Sequence, residues 1–168
     1  DLADLTNVDR RRALSAIFKL VTLEANSDLD RHLAVLQFLG QAAFHNSIQP
    51  LQEDSRMVVD PLILLELGEM SCGQVARVAC DLFSAGGYPS RLVQAGGHVL
   101  AEVYYDQGWH YLDADANVIS PAMVDGRIPS MVELSQTPGL VDTTGDWWMV
   151  SEGDTSMDGP AAGYKSYA

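Results

Sequence analysis

Lysine is scarce in this chain, and that scarcity limits the partners we expect. Among 168 residues there are two lysines, Lys19 and Lys165, and 10 basic residues stand against 23 acidic ones, for a formal charge of −13. Nucleic acids and anionic membranes are bound through lysine and arginine side chains that neutralise phosphate. We therefore expect no nucleic-acid partner for this acidic protein.

Long apolar runs are also missing. The longest one, MVVDPLILLELG, is interrupted by Asp60, Pro61 and Glu66, whereas a membrane-spanning helix needs about 18 unbroken apolar residues. The chain opens on Asp1 without the apolar region of a signal peptide. We expect no membrane insertion, and we expect either a mature product or a domain of a larger chain. The compartment is left open.

Cysteine is too rare to build a disulfide framework. Cys72 and Cys80 are eight residues apart in one predicted helix, so their Cα atoms should be about 12 Å apart at 1.5 Å per residue. A disulfide needs a separation under about 7 Å. Both should be free thiols.

Capping patterns predict helices in the first half of the chain, which at this length fits one domain. TNVD, residues 6–9, should open a helix to about Leu23, and SDLD, residues 27–30, a second one to about His45. Asp60-Pro61 predicts a short third helix, because proline fits the first helical position.

In the second half the apolar period changes from that of a helix to the period of two that is typical of strands. RLVQA, HVLAEVYYD and WHYLD should form three strands, the last two joined at Asp106-Gln107-Gly108. Periodicity fades after Ile119. We expect a domain over residues 1–150 and a C-terminal arm or linker over residues 151–168.

Cys72 is the candidate nucleophile. Ser71 and Gln74 have the spacing of a capping box, which makes Ser71 the N-cap and Cys72 the first helical residue. A helix N-terminus favours a thiolate, and its unpaired amides can hold an oxyanion. A lone cysteine at such a position is more often a buried apolar residue. Cys80, in the middle of the helix, should be inert.

His98 and Asp113 are the candidate partners of that cysteine. His98 begins a strand after two glycines, and Asp113 ends the next strand. If Tyr105 pairs with Gly108, the two side chains share one face of the sheet as diagonal neighbours. A three-residue loop would instead turn Asp113 to the other face, and the turn residues suit both alternatives. The remaining histidines, His32, His45 and His110, should be structural or exposed.

Two longer segments resemble the core of the transglutaminase-like superfamily: GEMSCGQVARVACDLFSAGGYPSRLV and GGHVLAEVYYDQGWHYLDAD. Between them they carry a helix-start cysteine, the Gly-x-Pro-x-Arg segment of residues 87–91, a histidine that opens a strand, and an aspartate that ends one. The resemblance covers about residues 68–118. It implies a papain-like α+β fold, with N-terminal helices packed on an antiparallel sheet. It also implies the roles: Cys72 as nucleophile, His98 as base and Asp113 as the residue that orients the imidazole.

This resemblance predicts a thiol hydrolase or acyltransferase acting on an amide, with a peptide, protein or glycopeptide as substrate. The family includes protein-crosslinking transglutaminases, cysteine peptidases and peptide N-glycanases. The zinc-binding cysteines of the last group are missing here, as is the upstream tryptophan that stabilises the oxyanion in animal transglutaminases. The alternative is a binding or scaffold module with the same fold.

No metal or other cofactor is expected from the sequence. DADAN, residues 113–117, has the opening of a calcium loop, but Val118 and Val124 stand where that loop needs glycine and a bidentate glutamate. Cysteines and histidines do not cluster along the chain with the spacing of zinc ligands.

Overall fold

The helices and strands of the domain follow one another in mixed order. The computed structural model describes residues 2–46, 50–52, 55–95, 97–115, 123–137 and 140. Over these residues it has a 3₁₀ turn at Leu2–Asp4 and five α-helices: α1 Asn7–Val21, α2 Asp28–Ala42, α3 Pro61–Leu67, α4 Cys72–Ala85 and α5 Met131–Gln136. Its five strands are β1 Phe44–His45, β2 Glu69–Met70, β3 Ser90–Ala95, β4 His98–Tyr105 and β5 Gly108–Leu112. The predicted arm, residues 151–168, and the predicted boundary at residue 150 lie outside the described residues.

The predicted helix starts are confirmed by their caps. The hydroxyl of Thr6 accepts a hydrogen bond from the backbone N–H of Asp9 (3.2 Å), and Ser27 accepts one from Asp30 in the same way (3.0 Å). A carboxylate oxygen of Asp60 caps α3. The predicted ends were too late, because α1 stops at Val21 and α2 at Ala42. Helix ends fray and carry weaker sequence patterns than capped starts.

Helix α4 is the centre of the main core. Its side chains at Val78, Ala79, Leu82 and Phe83 have no exposed surface, and they pack against β4 on one side and α1 on the other. Phe83 meets the ring of Phe18 edge-on, with centroids 5.5 Å apart. The helix that begins at Cys72 is therefore fixed in place by side chains packed deep in the main core.

Truncation of Phe83 to alanine should lower the free energy of unfolding by about 3–5 kcal/mol, since it removes a fully buried ring and leaves a cavity. Urea denaturation followed by circular dichroism measures the change. Leu20→Ala is the control, because Leu20 is 73% exposed and its truncation should change stability by less than about 0.5 kcal/mol. Equal effects of the two substitutions would contradict the packing described.

The larger sheet is antiparallel, with strand order β3-β4-β5. Tyr105 pairs with Gly108 and Ala101 with Leu112, so the hairpin closes through a two-residue turn. Both turn residues have positive φ, 46° at Asp106 and 62° at Gln107, as expected for the turn type whose twist matches that of the strands. Of the two alternatives that the sequence left open, the structure adopts the one that places His98 and Asp113 on the same face.

A second, two-stranded sheet lies at the start of α4. Strands β1 and β2 run parallel, with Phe44 level with Glu69 and His45 level with Met70. The chain enters α4 two residues after Met70. This small sheet therefore holds His45 beside the strand that leads into α4, whereas the sequence predicts His45 at the end of a helix. That prediction was wrong.

A buried carboxylate on β4 contacts two other elements of the domain. Glu102, buried on β4, holds Arg91 of the Gly-x-Pro-x-Arg segment (2.6 Å) and accepts a hydrogen bond from the backbone N–H of Met131 at the start of α5 (2.7 Å). This buried carboxylate joins the sheet to α5.

Over the described residues, none of the helices combines the length and the apolar character that crossing a membrane requires.

Candidate active site

Cys72 is the first residue of α4, as its sequence context predicts. The side-chain oxygen of Gln74 accepts a hydrogen bond from the backbone N–H of Ser71 (2.9 Å), while its side-chain nitrogen donates to the carbonyl of Val58 (2.8 Å). Gln74 is buried, so the helix start is anchored from within the protein. Cys72 itself is only partly buried, unlike Cys80.

His98 and Asp113 form a hydrogen-bonded pair. Nε2 of His98 lies 2.8 Å from Oδ2 of Asp113. The carboxylate side chain is 1% exposed and the imidazole 24%. A buried carboxylate on one nitrogen fixes the tautomer and the orientation of the ring. Since Nε2 is occupied by Asp113, Nδ1 is the nitrogen left for the cysteine.

The thiol of Cys72 and the imidazole of His98 shift each other's pKa towards an ion pair. A hydrogen bond to His98 lowers the pKa of Cys72; burial opposes this, and the backbone N–H of Val99 assists it. Burial on its own lowers the pKa of His98, but hydrogen bonds to Asp113 and Cys72, with the charges of Asp113 and Asp115, raise it to about 11. The arrangement favours a thiolate beside an imidazolium, the reactive form of a cysteine nucleophile.

Cys80 has none of these features. It lies two turns further along α4, where it is buried, and burial raises the pKa of its thiol to about 11. The two cysteines of the chain thus shift in opposite directions. As the sequence predicts, both are free thiols.

Three solved structures share the fold of this chain. One is a TGase (transglutaminase), with 19% sequence identity and a TM-score of 0.52. Another is a candidate cysteine protease from Cytophaga hutchinsonii (14%, 0.51), and the third is a candidate protease from Parabacteroides distasonis ATCC 8503 (13%, 0.51). The chain has a transglutaminase-like fold. The α+β architecture predicted from the sequence, with N-terminal helices on an antiparallel sheet, is confirmed.

The matches cover most of this chain but less than half of the other proteins. The match to the TGase covers 66% of this chain and 33% of the TGase. The match to the C. hutchinsonii protein covers 67% of this chain and 44% of that protein, and the match to the P. distasonis protein covers 61% of this chain and 23% of that protein. No family model matches the sequence, and no curated protein does. At these identities the likeness establishes the fold, and the chemistry has to be argued from the site.

The sequence did not indicate two residues at this site, Asp115 and His45. A carboxylate oxygen of Asp115, the sulfur of Cys72 and a ring nitrogen of His98 all lie within 4.8 Å of one another. On its outer side Asp115 is held by His45, with Nδ1 of the ring 2.6 Å from Oδ1. Asp115 follows Asp113 closely in sequence, but β5 ends at Leu112 and residues 114–115 form a turn, so strand alternation does not predict where its carboxylate lies.

Asp115 is an unusual neighbour for a nucleophile because it is a second buried carboxylate. Burial raises its pKa, while the hydrogen bond from His45 lowers it and the charge of Asp113 raises it again. Its charge helps to hold His98 protonated and at the same time disfavours the thiolate of Cys72. Asp113 and Asp115 therefore both influence the ion pair of Cys72 and His98.

The other two histidines serve the core, one of the roles that the sequence predicts for them. His110 is buried, and its two ring nitrogens face the backbone carbonyls of Ile128 and Tyr105, one of which accepts the N–H of a neutral ring. His32 has no exposed surface, and burial, followed by the charge of His110, lowers its pKa to about 3. His32 is therefore neutral at physiological pH.

Proposed function

We propose that this domain is a cysteine-nucleophile hydrolase or acyltransferase that attacks an amide carbonyl and carries the acyl group as a thioester on Cys72. The observation that carries the proposal is the relay in which Asp113 holds Nε2 of His98 at 2.8 Å while His98 lowers the pKa of Cys72. Cys72 starts a helix, has a lowered pKa and is only partly buried, and all three properties suit attack on a carbonyl carbon.

In the first step the thiolate of Cys72 adds to the carbonyl carbon, and the carbonyl π electrons move to the oxygen. The backbone N–H of Gln74 is already bonded to the carbonyl of Ser71 (2.9 Å), so the amides of Cys72 and Gly73 at the start of α4 are the candidates to donate to that oxyanion. The imidazolium of His98 then passes its proton to the leaving nitrogen as the carbon–nitrogen bond breaks. Part of the high pKa of His98 comes from its hydrogen bond to Cys72, so loss of the thiolate charge makes His98 a stronger acid when the leaving group needs a proton.

In the second step His98, now neutral, takes a proton from the attacking water or amine. The new bond forms at the thioester carbon, and the thiolate of Cys72 departs. Asp113 remains a carboxylate throughout and stabilises each imidazolium that forms. Peptide, isopeptide and glycan-linked amides are the substrate classes that fit this chemistry.

Selective alkylation tests the nucleophile without a known substrate. At pH 7 about one Cys80 thiol in ten thousand is ionised when its pKa is about 11, whereas Cys72 ionises below the ordinary 9.0. A thiolate of lower pKa is intrinsically less nucleophilic, yet Cys72 should still react with iodoacetamide at least about tenfold faster than Cys80. Mass spectrometry of peptides from timed samples gives both rates.

The alkylation rates of Cys72 and Cys80 should also depend on pH to different degrees. Between pH 8 and pH 6 the thiolate fraction of Cys80 should fall about tenfold per unit. Cys72 should lose less reactivity over the same range, because hydrogen bonding to His98 shifts its ionisation to lower pH. Equal rates at the two cysteines, or parallel pH profiles, would favour the alternative in which the domain is a binding or scaffold module.

A further inference from the structure

Cys72 belongs to a cluster of three side chains that carry different metal-binding groups. The sulfur of Cys72, a ring nitrogen of His98 and a carboxylate oxygen of Asp115 lie within 4.8 Å of one another. Around a zinc ion with bonds of roughly 2.0–2.3 Å, neighbouring tetrahedral ligands are about 3.3–3.8 Å apart. The three atoms therefore need to close by at most about 1.5 Å, which side-chain torsions can supply.

Two of these three groups already have the hydrogen-bond partners that orient metal ligands. Asp113 holds Nε2 of His98, which leaves Nδ1 directed at the cluster, and His45 holds Oδ1 of Asp115, which leaves Oδ2. Carboxylate and histidine partners of this kind fix the tautomer and raise the basicity of a metal ligand. Both partners are in place before any ion binds, so the ligands are preorganised.

The donor set selects the metal. A thiolate, an imidazole and a carboxylate together suit zinc, whereas calcium and magnesium require oxygen ligands alone. Three protein ligands leave a fourth tetrahedral position for water. In sequence the ligands are 26 and 17 residues apart, far from the short spacings of known zinc motifs, which explains why the sequence predicts no such site.

We propose that the transglutaminase-like domain binds one Zn²⁺ through Cys72, His98 and Asp115, and that the ion blocks the sulfur. The ion displaces the Nδ1 proton of His98 to solvent and binds that nitrogen and the sulfur of Cys72, the two atoms that attack on a carbonyl requires. Zinc and an electrophile therefore exclude each other at Cys72. Metal binding itself requires no turnover, so the site stands or falls independently of the proposed reaction.

Cobalt(II) and zinc titrations of the metal-free full chain test the site. A thiolate bound to Co²⁺ produces a ligand-to-metal absorption band in the near ultraviolet, and Zn²⁺ should displace the cobalt and bleach that band at one equivalent. Cys72→Ser should abolish the band. His45→Ala should weaken zinc binding by about 10–100-fold, the range seen when partners of metal ligands are removed. Asp115→Asn, which removes a ligand, should weaken it at least as much.

Two control variants separate this site from adventitious binding. Cys80→Ser removes the other thiol, and Asp81→Asn removes a carboxylate of α4 that is paired with Arg77 on the surface. Both should bind cobalt and zinc as the unaltered chain does. A stoichiometric band that survives Cys72→Ser, or no binding to the unaltered chain, would overturn the proposal.

Protection of the thiol links the ion to the nucleophile. Stoichiometric zinc should slow alkylation of Cys72 at least tenfold, should leave the rate at Cys80 unchanged, and should be reversed by a chelator. Alkylation of Cys72 at the same rate with zinc bound would contradict the ligand assignment. If zinc binds as described while Cys72 shows no enhanced reactivity in the metal-free chain, the proposed enzyme function fails and the metal site stands.

Discussion

Replacement of Cys72 by alanine should reduce amide turnover to the uncatalysed background, a loss on the order of 10⁶-fold for a nucleophile of this kind. The reason is structural: Cys80 is buried and its pKa is raised to about 11, so it does not replace Cys72 as acyl carrier. The assay is a screen of peptide, isopeptide and glycan-linked amides with hydroxylamine present. Hydroxylamine intercepts a thioester as a hydroxamate, whether the natural acceptor is water or an amine.

The matched control is Cys80→Ala, which removes a thiol from the same helix and should retain full turnover if the core accommodates the change. Circular dichroism establishes that both variants are folded. Hydroxamate formation by a folded Cys72→Ala variant at the original rate would falsify the enzyme hypothesis and leave the scaffold alternative.

Replacement of His98 by alanine should be nearly as severe, because it removes both the proton acceptor and the cation that stabilises the thiolate. General acid–base catalysis by one side chain contributes about 10²–10⁴-fold, and loss of the ion pair adds to this. The pKa of Cys72 should rise, since its hydrogen bond to His98 is the largest cause of the lowered value. The alkylation rate of Cys72 against pH measures that change directly, and the curve should move to higher pH.

Asp113→Ala provides the graded comparison for His98→Ala. An imidazole without its carboxylate still samples the correct tautomer, so the loss of turnover should be smaller. Exogenous imidazole should partly restore the His98→Ala variant and should do nothing for Cys72→Ala. In the double variant at Cys72 and His98, the loss should hardly exceed that of Cys72→Ala, because the two residues act as a unit. A His98→Ala variant with an unchanged alkylation profile would show that His98 does not control the thiol.

The position of Cys72 at the start of α4 was predictable because it depends on local interactions. Ser71 and Gln74 stand three residues apart, and the hydrogen bond that joins them in the structure closes within one turn. The starts of α1, α2 and α3 were predicted for the same reason. Interactions within four residues leave a direct pattern in the sequence, and tertiary packing did not override them here.

The hairpin register was not predictable from the turn residues alone. Positive φ at Asp106 and at Gln107 costs roughly 1–2 kcal/mol each, which counts against the two-residue turn. Burial decides the matter, because in this register Ala101, Val103 and Leu112 belong to the main core that also holds α4, and a one-residue slip of β5 would turn its side chains to the other face. That comparison needs the assembled core, which the local sequence does not contain.

Asp115 and His45 were missed for a related reason. The two residues are 70 positions apart, and they meet because the two-residue strands β1 and β2 pair in parallel. Strands this short leave no periodicity to detect. The sequence also offered a competing interpretation for each residue, a helix end for His45 and a weak calcium motif for Asp115.

The two-residue turn at Asp106-Gln107 has a consequence for how this domain can vary. Surface turns normally accept insertions with little penalty. Here an added residue leaves the pair of His98 and Asp113 intact only if it stays within the loop; if it enters the ladder, β5 slips by one residue against β4 and Asp113 turns to the other face of the sheet. The register of the β4–β5 ladder, more than the length of the exposed turn, is therefore what a variant has to preserve for the candidate site at the far end of the hairpin.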